Sequence, residues 1–467
     1  MSSPLSHKTV LNLKPGKKQS FNVIALLHMI FITIPLVLIR IPLAVFFEHI
    51  LPFITFYVYQ SHTYRELGRR AIPDIVVRFA RDYLSRGSPA EGRASFFGRK
   101  TAYSMMYALP SWRKHKAWRA NVAEASYGVT GRWIADNPHV PAQRKDDDLV
   151  ILFVHGGGFV VDTGGTCQLF WLHLMKECFL TRGIKLSIFQ LDYELAPDFQ
   201  FPSQIIEICA AYSWLVNGLG ISPSKIVFSG DSAGGQLIAA TLLHLARPSP
   251  DIRLPDACGP LPRKPRGSLL ISPFIKFLGD SHAYVRNASF DLIEIRCAAL
   301  FAMQYLGCAP VPSAWWGLSF NPAHLFGSPH PDPASFLIDH LPSSEKQKKT
   351  ELPTVKERLA NPYANVGGVK DRAWWGEAMP SRDGANMVVW GGREIFTDDI
   401  SEFVRLLEDS EVPVVRLKKD YAVHDWLLYE PTIPWLRFNK GKGPDQAADW
   451  GVNHVADWIQ GIVRGEV

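Results

Sequence analysis

A serine set between glycines is the first residue in this chain whose surroundings could do chemistry. Gly230-Asp231-Ser232-Ala233-Gly234-Gly235 contains the pattern G-x-S-x-G, with Ser232 at its centre. The pattern carries meaning only between a strand and a helix, where a sharp turn pushes the serine hydroxyl clear of the chain. Both neighbours are legible: Lys225-Ile226-Val227-Phe228-Ser229 is a short β-rich run, and Gln236 to Ala246 is compatible with a helix. Gly230 and Gly234 bring no Cβ to clash around a strained serine. A helix N-terminus behind the serine would offer partial positive charge to a developing oxyanion. Taken alone, the stretch can also be read as a Gly-rich turn without chemistry.

A second motif weighs against that reading. Val154-His155-Gly156-Gly157-Gly158-Phe159 follows an apolar run. Consecutive glycines let backbone N–H groups converge on one point, which suits charge that develops only in a transition state. Gly156 and Gly157 are expected to supply two such donors, and Ala233, next after the serine, a third. A phosphate-binding loop is disfavoured, because no Lys-Ser/Thr follows the glycines and no G-x-G-x-x-G is present.

A serine hydroxyl needs a general base, and the base needs a carboxylate to orient it. On an α/β scaffold the chain order is serine, acid, histidine. His424, in Tyr421-Ala422-Val423-His424-Asp425-Trp426 after the last expected strand, is the best base; His282, His324, His330, His340 and His454 have polar-loop or surface contexts. The acid should follow the preceding strand. Glu394, four residues beyond Trp390, is the preferred one, with Asp398 and Asp399 open alternatives whose ordinary role is to cap a helix through Ile400, Phe403 and Leu406.

These residues need a scaffold. Apolar strands are expected at Leu149 to Val154, Leu186 to Leu191, Ile226 to Phe228, Ser268 to Ile271, Met387 to Trp390 and Val412 to Leu417, with helical patterns such as Gln204 to Val216 between most of them. Buried strands alternating with helices predict an α/β fold with a mostly parallel central sheet and helices on both faces. The site should lie at the carboxyl ends of the strands. The alternation breaks between Phe274 and Pro380, so a cap and loop insertion is expected at about 275–385, with an apolar helix over Ile293 to Leu306 and a charged loop at Ser343 to Glu351.

The amino-terminal part reads differently. Residues 1–20 are polar and basic, and Phe21 to Ile39 carries no formal charge. Nineteen helical residues span about 28 Å, close to the roughly 30 Å hydrocarbon core. Residues 1–60 are therefore read as a basic tail with a transmembrane anchor, 61–140 as a helical cap that includes an amphipathic helix at Ala71 to Leu84, and 141–467 as the catalytic domain. Lys8, Lys14, Lys17 and Lys18 outnumber Arg40, which puts the tail in the cytosol and, with one span, the catalytic part in a lumen such as that of the endoplasmic reticulum. The second apolar run, Ile41 to Tyr59, holds Glu48, Pro42 and Pro52 and reads as interfacial. The sequon Asn287-Ala288-Ser289 agrees with a lumenal side.

Composition narrows the rest. At 467 residues and 47% hydrophobic composition the chain can bury one large domain with additions. A net charge of +6 is modest at this size, and no basic stripe interleaved with aromatics points to nucleic acid. The six cysteines form no CxxC pair, which argues against a zinc knuckle or dithiol site, and Cys167, Cys178 and Cys209 lie in apolar runs that read as core.

Together HGGG at 155–158, Asp192-Tyr193-Glu194-Leu195-Ala196-Pro197, GDSAGG at 230–235, Ser272-Pro273 and His424 resemble the hormone-sensitive-lipase-like branch of the α/β-hydrolases, in particular fungal steryl acetyl hydrolases and related membrane-anchored esterases. The resemblance covers roughly Leu149 to His424. It implies ester hydrolysis without metal or organic cofactor, an N-terminal cap that shapes the acyl pocket, and structural support of the HGGG loop by Tyr193, Ala196 and Pro197. Most relatives have Asp where Glu394 falls. The expected function is a Ser232-His424-Glu394 hydrolase of lipophilic esters, such as acetylated sterols, working at a membrane. The alternatives are a non-catalytic ligand-binding protein on the same fold and an acyltransferase with an alcohol acceptor.

Overall fold

The computed structural model of the protein describes residues 10–15, 26–45 except 28, 77, 80–81, 118–308 except 278 and 280, 355–380, 385–431, 447 and 449–466. Its centre is one eight-stranded sheet in the order β1-β2-β4-β3-β5-β6-β7-β8. The strands are β1 Arg119–Glu124, β2 Val129–Ile134, β3 Leu149–Val154, β4 Leu186–Leu191, β5 Ile226–Asp231, β6 Gly267–Ile271, β7 Asn386–Gly391 and β8 Val415–Lys419. From β4 to β8 every neighbouring pair is parallel, while β2 runs antiparallel to both β1 and β4.

Alternate side chains of the central strands enter two separate cores, as the period of two in a strand requires. Val150, Leu152, Val154, Phe228 and Leu270 face helices Ser203–Ser213, Ala233–Ala246 and Thr397–Asp409. Ile151, Phe153, Val227, Leu269 and Val389 face helices Gly164–Arg182 and Trp450–Arg464. Both sheet faces are thus covered, so β3, β5 and β7 are buried along their whole length, and β3 reads as an unbroken apolar run.

Five of the six expected strands lie within a residue of their expected ends or continue beyond them, and β3 and β4 have the expected bounds. β8 starts three residues later than Val412. The helix Thr397–Asp409 closes through Glu411 at φ 58° and the Val412 N–H donates back to Leu407 O, so the chain turns before the strand begins.

The expected boundary at residue 140 needs correction. Residues 119–134 lie in the central sheet as β1 and β2, not in a helical cap. Trp133 is fully buried, 5.1 Å from the Phe189 ring and 6.2 Å from the Trp214 ring, and Arg132 is buried in an ion pair with Asp192. Val129, Thr130, Trp133 and Ile134 are strand-favouring residue types, and cross-strand packing holds them in the sheet. The rest of the expected cap, including most of Ala71 to Leu84, lies outside the described residues, as does the charged loop at 343–351. The apolar helix of the insertion is present as Ile295–Tyr305. Cys167, Cys178 and Cys209 are buried thiols, as their apolar context implied.

Among the described residues no helix is long and apolar enough to cross a membrane. A π-turn at Met29–Thr33 runs into the helix Ile34–Val45. Thr33 and Val37 are buried on one side of it, while Leu27, Ile30, Phe31, Ile34 and Leu38 are exposed at helical spacing on another. Upstream, the basic tail packs on the catalytic domain: Leu11 and Leu13 enter its core, and Pro15 forms a β-bridge with Phe199. Each such leucine stabilises the docked tail by roughly 1.5–3 kcal/mol.

Candidate active site

Ser232 ends β5 and opens the helix Ala233–Ala246 with φ 50° and ψ −118°, a conformation costly for any residue with a side chain. The turn holds it there. Ser232 N–H donates to Ile271 O at 2.9 Å, its carbonyl accepts from Phe274 N–H at 2.9 Å, and a Cβ at Gly234 would stand 2.0 Å from Val154 O. The strand, turn and helix around G-x-S-x-G are those of a nucleophile elbow.

The HGGG loop lies against this turn and is supported from below. Tyr193 Oη donates to His155 O at 2.9 Å and its ring stacks on the His155 imidazole at 4.3 Å; Ala196 N–H donates to Phe159 O at 2.9 Å. The donor assignment shifts by one residue from expectation. Gly156 N–H donates to Asp231 Oδ1 at 2.9 Å, so it is already engaged and ties the loop to the elbow. Among the described residues, the N–H groups of Gly157, Gly158 and Ala233 donate to no acceptor, which leaves these three for an oxyanion. Gly157 has φ +94°, and the insertion helix closes on its neighbour, with Phe301 filling the space where a Gly158 side chain would be.

The acid and base come from the next two loops. Glu394, after β7, is fully buried, and its Oε2 is 2.9 Å from His424 Nδ1. Its Oε1 accepts from Gly391 N–H at 2.6 Å and from Ser272 Oγ at 3.3 Å. Asp398 instead accepts from Ala283 N–H and pairs with exposed Arg286, and Asp399 accepts from Tyr284 Oη. Glu394 is therefore the carboxylate that meets the imidazole. The longer glutamate reaches because the loop turns immediately after β7. The Phe396 ring stands edge-on to the imidazole at 5.3 Å.

Ser272 connects the elbow to this pair. It follows Ile271, whose carbonyl holds Ser232, and its hydroxyl both donates to Glu394 and accepts from Asp425 N–H at 3.0 Å. The Ser232 hydroxyl and His424 Nε2 share no hydrogen bond here; Nε2 stands 3.2 Å from Asp425 Oδ2. Serine–base bonds commonly tighten only when substrate is present.

The charge around the imidazole is dense. Burial disfavours the imidazolium, but the carboxylates of Asp425, Glu394 and Asp291 outweigh it and raise the His424 pKa to about 10. Burial raises Asp231 to about 7, with the Gly156 N–H and the His424 charge opposing, and raises Asp291 to about 6. Asp425 is raised well above the ordinary carboxylate range, first by burial. Several acids so close in a dry site cannot all be ionised together.

Sequence reasoning gave no role to Asp231, Asp291 or Asp425. Asp231 stands inside the recognised motif, and Asp425 stands beside the expected base, so position was the available signal. Asn287 was singled out for a different reason. In the sequence, as part of a sequon, it agrees with a lumenal side, yet in the fold its side chain is fully buried and donates to Gly392 O at 3.2 Å and Glu394 O at 2.9 Å. It gives no support to a lumenal side. Among the described residues no cluster of His, Cys, Asp and Glu could hold a metal ion.

A nucleophile elbow on a mostly parallel sheet, with acid and histidine on the loops after β7 and β8, defines an α/β-hydrolase. Residues 151–322 match the family described as alpha/beta hydrolase fold, and the chain carries a domain of that fold. It is 38% identical over 188 residues to Lipase 2 of Moraxella sp. (strain TA144), covering 39% of this chain and 40% of the relative. It is 27% identical over 307 residues to arylacetamide deacetylase of Bos taurus, covering 62% of this chain and 71% of the relative. Among solved structures, an esterase from the bacterial hormone-sensitive lipase family superposes with a TM-score of 0.53 at 20% identity, over 85% of this chain and 98% of that one. The chain thus spans less than half the length of the curated lipase it matches.

Proposed function

We propose that this protein hydrolyses carboxylic esters of lipophilic compounds, acetylated sterols or similar lipid esters among them, with Ser232 as nucleophile. The observation that carries the reading is the 2.9 Å contact between Glu394 and His424 Nδ1 at the mouth of an elbow that holds Ser232 at φ 50°. Ser232 Oγ attacks the ester carbonyl while His424 Nε2 takes its proton. Glu394 fixes the tautomer that leaves Nε2 free and stabilises the imidazolium. The N–H groups of Gly157, Gly158 and Ala233 receive the oxyanion; its collapse breaks the ester C–O bond and His424 gives the proton to the departing alcohol, after which water, deprotonated by His424, releases the acyl group as the carboxylic acid and restores Ser232. Relatives named lipase and arylacetamide deacetylase support ester chemistry. Phe274, Phe277 and Phe301 beside the loop support an apolar substrate.

Attachment to a membrane belongs to the same proposal. The uncharged stretch Phe21 to Ile39 and the exposed apolar stripe on its helix support it. The docked tail supports attachment with residues 10–15 and the catalytic domain on one face of the bilayer.

The test is a hydrolysis panel that spans short-chain aryl esters and steryl acetates, run beside Ser232→Ala and with a fluorophosphonate probe. The wild type is expected to turn over esters and to be labelled once, and the variant to do neither. Labelling that persists in Ser232→Ala would assign the nucleophile elsewhere.

A further inference from the structure

Between β6 and β7 the short helix Ala283–Arg286 is followed by a turn that points two polar side chains inward. Both Asn287 and Asp291 are fully buried. Asn287 Nδ2 donates to the carbonyls of Gly392 and Glu394, at 3.2 and 2.9 Å. Asp291 Oδ2 accepts from Ile395 N–H at 2.7 Å, and its Oδ1 accepts from His424 N–H at 2.9 Å and from Leu292 N–H at 2.7 Å. From outside, Arg81 donates to the carbonyls of Ala288 and Asp291, at 2.9 and 3.3 Å.

The partners of these side chains are backbone groups of the loop that carries Glu394 and of the loop that carries His424. One carboxylate spans both loops, binding one of them at the residue after the acid and the other at the base itself. A loop without regular structure has no ladder to fix its backbone, and its buried N–H and C=O groups need partners from elsewhere. Here they come from a third segment, residues 287–291.

We propose that Asn287 and Asp291 are positioning residues: together they clamp the acid loop to the base loop and set the distance over which Glu394 meets His424. The clamp rests on the hydrolase reading above. It also assigns the Asn287-Ala288-Ser289 sequon a structural use that excludes a glycan, since the amide nitrogen that would carry the sugar is the one that binds Gly392 and Glu394.

The test is a double-mutant cycle on ester turnover with Asn287→Ala, Glu394→Gln and the pair. If Asn287 acts through Glu394, the single change lowers kcat by about 100-fold, the scale of an ångström of misplacement, with little change in KM. The same change made in Glu394→Gln then costs only a few-fold more, because coupled residues are non-additive. Equal losses in both backgrounds would overturn the proposal, as would a KM effect with kcat intact.

Asp291→Asn supplies a second readout through the pH profile. The imidazole faces Glu394, Asp425 and Asp291, with Asp231 within electrostatic reach, so loss of one negative charge should move the limb of kcat/KM that reports His424 to lower pH. An unmoved limb counts against the clamp. Should Asn287→Ala fail to fold, peptide mass analysis of active wild type from a glycosylating host decides: Asn287 is expected unmodified, and a glycan there sinks the idea. Failure of the hydrolase reading is distinguishable, because the wild type would then be inert toward both ester and fluorophosphonate.

Discussion

His424 Nε2 stands 3.2 Å from the carboxylate of Asp425, the residue that follows it in the chain. Asp425 is at φ 56°, with its N–H held by Ser272, and this turns its side chain back toward the imidazole. The nitrogen to which the proposed mechanism gives the Ser232 proton thus has an acid beside it at rest, and Glu394 occupies the other nitrogen.

This arrangement predicts an alkaline profile. A general base works only when unprotonated, so a pKa raised to about 10 means that kcat/KM climbs as pH rises, where an ordinary histidine would level off above about 6.5. In Asp425→Asn the rising limb should move down by about one pH unit or more, the scale expected for loss of a nearby opposite charge. A pH–rate series on both proteins checks it; coincident curves would remove Asp425 from the base's electrostatics.

The acid assignment predicts unequal costs along one short stretch. Glu394→Gln keeps shape but loses the charge that orients the imidazole, and kcat should fall by about 10³–10⁴. Asp398→Asn gives up an exposed pair with Arg286 and should leave kcat within about threefold. Steady-state kinetics of the two variants, with near-ultraviolet circular dichroism to verify folding, decides between them.

Backbone shape at the oxyanion loop predicts a third result. At Gly157 a Cβ would stand 2.0 Å from Val161 O, on a residue with φ +94°. Gly157→Ala should therefore displace an N–H donor and lower kcat by about 10²–10³. Gly183→Ala is the matched control: φ is +68° and nothing lies within 4 Å of the added carbon. It should cost about 1–2 kcal/mol of stability and leave turnover intact, as thermal melts and kinetics would report.

The docked tail predicts topology. Epitope tags at the two ends of the chain should show the same protease sensitivity in intact microsomes. Leu13→Asp, which places a charge in the core contact, should free the tail without altering the face on which the catalytic domain lies. Protection of one tag with digestion of the other would restore a single crossing.

Much of the scaffold is readable from local pattern. Runs such as Leu149 to Val154 are apolar throughout because both sides of the strand are covered. β1 and β2 were not readable in that way. Their burial alternates irregularly, and Arg132 sits in the interior only because Asp192 waits across the strand pair. A charged residue in the core is a fact about a partner sixty positions away, which periodicity cannot report.

The site divides along the same line. Short-range constraint marked Ser232, the glycine loop and His424, because an elbow or a row of inward amides demands particular residue types at adjacent positions. Selection among Glu394, Asp398 and Asp399 required the path of the chain after β7, which sends the first into the interior and spends the others on Tyr284, Arg286 and a helix end. The engagement of Gly156 by Asp231, and the burial of Asn287 inside what looks like a surface sequon, are likewise long-range: each joins segments more than seventy residues apart through one side chain whose partner is a backbone group. Backbone groups are the same at every position, so no residue type announces which of them a distant asparagine or aspartate will bind. Only the folded chain decides it.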